Sequence, residues 1–193
     1  MDFLKWAVRY LSAIANRTPS FCCFGLHEWA MLYKTTQPRH TTVPLRLTAE
    51  EIGAVVERSD MRCSHYDAFR FFTPPALPLN RIKLTRELTT EHDQRGCIHV
   101  TMDLYKFATK ISPWCPSKLV ADAFLLAADA REIDMRASPY DLTGYGFQPI
   151  KIESPDGREE YIRHQRRLAE ASVPLRDRLL EVYQGLASAL LGS

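Results

Sequence analysis

The chain lacks most of the motifs by which an enzyme class is read from sequence. It has no G-x-S-x-G, no P-loop and no G-x-G-x-x-G, so serine hydrolase, nucleotide hydrolase and dinucleotide-binding readings have no footing. Its five cysteines (Cys22, Cys23, Cys63, Cys97, Cys115) are odd in number and none forms a C-x-x-C pair, so neither a disulfide framework nor a zinc ribbon is supported. Reduced thiols in a cytoplasmic setting are the expectation. Charge of one sign is also missing: 25 basic against 23 acidic residues leave a net charge of +2, so no global field advertises nucleic acid, although a local basic patch would still serve. No long hydrophobic run occurs. The apolar start, from Phe3 to Ile14, is interrupted by Lys5 and Arg9, which breaks any signal-peptide core or membrane span.

What remains is ordinary globular material: 193 residues, 46% hydrophobic and 25% charged, enough for one domain with a real core over 1–193. Helical spacing of Phe3, Leu4, Ala7, Val8, Leu11 and Ile14 predicts a first helix ending near Asn16, and a second short helix covers 26–33. Thr48 and Glu51 have capping-box spacing and open a third helix to about Glu57. Residues 79–94 read as a polar, irregular loop reaching the surface. Helical periodicity over 97–111, then over 117–136, predicts a core hairpin whose second helix buries Leu119, Val120, Ala123, Phe124, Ala127 and Ala130. Short extended segments at 43–47 and 149–153 supply minor β structure, and helices flank Pro174. The predicted fold class is a mainly α, single helical domain with minor β as short strands or a hairpin.

Chemistry concentrates in four runs: Cys23–Met31 with His27 and Glu28, Cys63–Phe72 with His65 and Asp67, 96–106 with His99 and Asp103, and 134–142 with Asp134 and Asp141. Ionisable groups among aromatic rings are where protonation is tuned. His27-Glu28 resembles the opening of H-E-x-x-H, but Met31 stands where the second histidine belongs, so no zincin is present. His99, Asp103, Lys106 and Lys110 share one helical stripe, which on spacing alone is a solvated face.

Taken in order, C-F-G-L-H-E-W-A-M (23–31), C-S-H-Y-D-A-F-R-F-F-T-P (63–74), M-D-L-Y-K (102–106) and D-M-R-A-S-P-Y-D-L (134–142) resemble a family of actinobacterial proteins labelled 3-methyladenine DNA glycosylase. The resemblance spans nearly the whole chain. It implies hydrolysis of the N-glycosidic bond of alkylated purines, with duplex DNA carrying alkylated bases as partner, no membrane, and no cofactor or metal. Such an enzyme extrudes the nucleotide, stacks the cationic base between rings and places a carboxylate near the sugar. On that reading the catalytic candidates are Asp67, Asp103, Glu28 and His65. The substrate-binding candidates are His27, Trp29, Tyr66, Arg70, His99, Tyr105, Lys106, Asp134, Arg136, Tyr140 and Asp141, and Arg81, Lys83 and Arg86 are phosphate contacts. Longer family members carry a further region before the position of Met1, which implies a chain beginning inside the family pattern, with apolar surface at the first helix and homo-oligomer formation. Two alternatives follow from the residues themselves: a metal-dependent or small-molecule enzyme using His27, His65 and His99, or a non-catalytic binding protein. Convergence of these side chains on one cleft is the expectation common to the enzyme readings.

Overall fold

A computed structural model describes residues 2–38 and 40–191. The helices are α1 (Asp2–Asn16), α2 (Leu26–Ala30), α3 (Ala49–Arg58), α4 (Tyr66–Phe69), α5 (Thr89–His92), α6 (Ile98–Lys110), α7 (Ser117–Arg136) and α8 (Pro155–Leu191), with single 3-10 turns at Leu77–Leu79 and Thr143–Tyr145. α6 and α7 form a hairpin, and α8 packs across α1, α6 and α7. Each long helix buries one stripe. In α7 it is Leu119, Ala123, Leu126, Ala130 and Ile133, spaced four and three apart, and in α8 it runs from Tyr161 through Leu168 to Leu179 and Tyr183. These stripes meet in one contiguous apolar cluster with Tyr10, Leu11 and Ile14 of α1.

The expected minor β component is absent: no strand forms among the described residues. Leu45 and Tyr140 make one isolated antiparallel bridge, fixed by hydrogen bonds from Arg46 N to Pro139 O (2.8 Å) and from Asp141 N to Pro44 O (2.7 Å). Pro44 and Pro139 carry no N–H, so the ladder has no rung beyond this pair. Residues 149–153 are no strand either; Ile150 and Ile152 are fully buried, and Ile150 N donates to Arg136 O at the end of α7 (2.8 Å).

Two other expectations change. Pro174 lies inside one continuous helix rather than between two. It is on the exposed side, as is Glu170, so the carbonyl that loses its donor faces water. Residues 79–94 do not form a loop that merely skirts the surface, since Asn80, Asp93 and Gln94 are buried. Asn80 holds Cys63 through both its amide atoms (2.7 and 3.0 Å), and Gln94 bridges Ser20 N, Ser20 O and Gly96 N (2.8, 3.1 and 2.7 Å). Among the described residues no helix is long and apolar enough to cross a membrane.

Candidate functional site

α2 is a five-residue helix with every side chain buried. Its entry depends on Gly25, whose φ of 67° lies in the left-handed region and whose missing side chain leaves room for the Tyr161 hydroxyl, 3.2 Å from where a Cβ would stand. The helix delivers His27 and Glu28 inward. His99 comes from the first turn of α6 and Asp134 from the last turns of α7, so the three main helices of the site converge where the hairpin opens.

His27 Nε2 lies 3.1 Å from Asp134 Oδ1, but the two are misaligned for a hydrogen bond, and both atoms are buried with no hydrogen-bond partner. The His99 ring meets His27 edge to face with centroids 4.3 Å apart, and one donor atom from each of His27, His99 and Asp134 lies within 4.8 Å of the others. Asp134 is completely buried; its second oxygen takes Arg131 Nη1 at 2.6 Å, and the same nitrogen holds Glu28 Oε1 at 3.1 Å. Glu28 Oε1 stands 3.8 Å from His27 Nε2. Burial alone would lift the Asp134 carboxyl, but His27 and Arg131 outweigh it and hold the group well below the ordinary carboxylate range. Burial pulls His27 down, and the charge of Asp134 more than restores it. His99 is driven well below the usual histidine value, by burial first and by the neighbouring His27, so it is a neutral imidazole at pH 7.

His65 precedes α4 and stacks on His99 with centroids 5.3 Å apart and an interplanar angle of 13°. Its Nδ1 lies 3.2 Å from both oxygens of Asp93, which also accepts the Tyr10 hydroxyl at 2.6 Å. Its Nε2 faces Asp103 Oδ2 at 3.9 Å. Lys106 bridges Asp103 (3.0 Å) and Asp67 (3.3 Å), and Arg70 pairs with Asp67 from outside (3.4 Å). Burial raises the Asp103 carboxyl despite His65 and Lys106.

His27, Glu28, His65, Asp67, His99 and Asp103 therefore line one cavity, of 340 Å³, with Met31, Phe71 and Met102 as its apolar wall. The stripe on α6 is not a solvated face: it is graded, from His99 inside the cavity through Asp103, with 15% of its side chain exposed, to Lys110 in solvent. Tyr66 borders an adjoining cavity, and Tyr140 a small pocket beside Glu28 and Arg131. Trp29 is a core residue whose indole donates to Ala137 O (2.9 Å), and Tyr105 lies against Phe124 on another face. Arg136 pairs with Glu132 and Glu160, and Asp141 caps the turn at Thr143; neither touches the cavity. Arg81 is held by Asp60 (2.8 Å).

Three contributors are not legible in the sequence. Asp93 sits in a stretch of sequence whose polarity predicts exposure, and Tyr10 in a helix whose periodicity predicts only core. Arg131 reads as an ordinary helical ion-pair partner of Asp134, and its reach to Glu28 depends on tertiary packing. Comparison with family models, curated proteins and solved structures finds no match to this chain.

Proposed function

We propose that the chain is a metal-dependent enzyme acting on a small molecule, with His27, His99 and Asp134 as the ligands of one transition-metal ion of the zinc class. The observation that carries this reading is the pair of orphaned buried atoms, His27 Nε2 and Asp134 Oδ1. The two atoms are ion-paired at 3.1 Å, yet each lacks an aligned hydrogen bond among the described residues, a costly state for buried polar atoms, and both converge on a third donor. Two donors each about 2.1 Å from a tetrahedral ion stand about 3.4 Å apart, close to the separation of this pair. Two imidazoles and a carboxylate are a donor set that zinc takes, and three protein ligands leave a position for substrate or water. His99, neutral through burial, is ready to coordinate.

A metal so held would polarise a carbonyl and acidify water. The chain's own groups then have roles that follow from their places. Glu28, fixed by Arg131 beside the ligands, accepts the proton of a water bound at the site. Arg131 orients both Glu28 and Asp134. His65, held by Asp93, facing Asp103 and stacked on His99, is placed to give a proton to a leaving group. The apolar wall of Met31, Phe71 and Met102 seats the body of the substrate. Hydrolysis of a carbonyl compound is the reaction class these positions suit best. The base-excision expectation gains nothing from the site, because two of the rings it needs, Trp29 and Tyr105, lie outside the cleft.

The test is metal content by elemental analysis after dialysis against zinc, and the absorption spectrum of the cobalt-substituted protein. One equivalent, lost in His99→Ala and in Asp134→Asn while both variants keep their helical circular dichroism, is the expected result. Wild-type protein that takes up no zinc or cobalt would overturn the proposal.

A further inference from the structure

His65, Asp67 and Asp103 line two cavities, not one. On their far side from the histidine cluster lies a second cavity of 170 Å³, between α1, α4, α6 and the turn before α5. Its floor is aromatic: Trp6 stacks on Tyr10 with centroids 5.0 Å apart, Phe107 lies 5.9 Å from Trp6, and Tyr66 borders the opening. Its rim carries Arg86, Lys106 and Lys110. Lys106 is shared between Asp67 and Asp103. Arg86 and Lys110 have no ion-pair partner among the described residues; Lys110 rests over the Phe3 ring at 4.9 Å. The lining thus sets three cations against two carboxylates; Arg70, on Asp67 from outside, and Glu87, beside Arg86, offset each other, and His65 is balanced separately by Asp93. An excess of one positive charge beside flat rings matches a singly charged anion attached to a planar group.

We infer that this second lobe binds the carboxylate end of a planar organic monoanion, with Arg86 and Lys110 on the carboxylate and the Trp6 and Tyr66 side chains against the ring. Resting on the metal-enzyme reading above, the same inference names the substrate class: a carboxylate-bearing molecule laid over the His65, Asp67 and Asp103 partition, its reacting group in the larger cavity. A doubly charged phosphate monoester fits the lobe less well, because the two fixed carboxylates leave one positive charge and not two.

Benzoate and neutral benzamide serve as probes, titrated into chelator-treated wild-type protein and into His99→Ala while the Trp6 indole N–H is followed by NMR. Benzoate should shift that signal in both proteins and bind at least tenfold more tightly than benzamide, the advantage shrinking in raised salt as exposed charges are screened. The Arg86→Ala/Lys110→Ala double variant, altered only at exposed side chains, should lose at least tenfold in benzoate affinity and nothing in benzamide affinity. Equal binding of the two probes, or benzoate affinity unchanged in the double variant, would overturn the inference. Because the metal-free protein is used, benzoate selectivity without zinc uptake removes the metal reading and leaves the lobe, whereas zinc uptake without selectivity does the reverse.

Discussion

At the scale of single residues, the least expected side chain is Arg176. It is 1% exposed, its Nη2 reaches only Ser172 Oγ on its own helix (2.9 Å), and its Nε has no partner. Burial pushes the guanidinium down to about 10, which still leaves it charged at neutral pH. Removing a buried charge that makes no close ion pair, with only Asp177 acting on it from nearby, relieves a desolvation cost, so Arg176→Met should raise stability by about 1–4 kcal/mol. A higher urea midpoint with unchanged slope would register this; a lower midpoint would show that the charge is compensated. Spacing puts Arg176 on the stripe of Ser172, Leu179 and Tyr183, but a reading that breaks the helix at Pro174 hides that register. Asp93 carries no such local sign: its burial comes from Tyr10 and His65, 83 and 28 residues away. His27, His65 and His99 were legible as candidates because aromatic neighbours surround them, but their convergence depends on packing that no local pattern encodes.

Among the elements, α7 shows both what periodicity reveals and where it misleads. Its ends and its buried Leu119, Ala123 and Ala130 follow from spacing, yet Phe124, assigned to the same stripe, is 51% exposed and touches Tyr105 edge on. The stripe steps from Ala123 to Leu126, and a large apolar residue one position off the axis falls outside it. Phe124→Ala should therefore cost under about 1 kcal/mol, the scale of a single aromatic pair, whereas Ile133→Ala should cost about 2–5 kcal/mol. Thermal denaturation of the two variants gives the comparison, and equal losses would return Phe124 to the core. The α3 capping box is the converse case, a motif read from Thr48 and Glu51 that appears with both hydrogen bonds (3.2 and 2.8 Å). Such local signals survive because they need only four consecutive residues. The β expectation failed because strands require a partner ladder, and prolines next to the one bridge deny it.

For the molecule as a whole, α8 is the beam to which α1, α6 and α7 are fastened, 37 residues long and about 55 Å at 1.5 Å per residue. Its buried face is continuous through Tyr161, Leu168, Ser172, Leu179 and Tyr183, so packing is shared along most of its length. Its backbone ladder is not continuous, since Pro174 supplies no donor to the carbonyl one turn earlier. Amide hydrogen exchange should therefore divide the helix. Amides in the turn around Pro174 should exchange through local opening, tens of times faster than those at Leu168 or Leu179, although all belong to one helix. Pro174→Ala should close that window without moving the exchange of α6 or α7. If the amides on both sides of Pro174 already exchange as slowly as their neighbours, α8 opens as one unit, and the missing rung has no dynamic consequence.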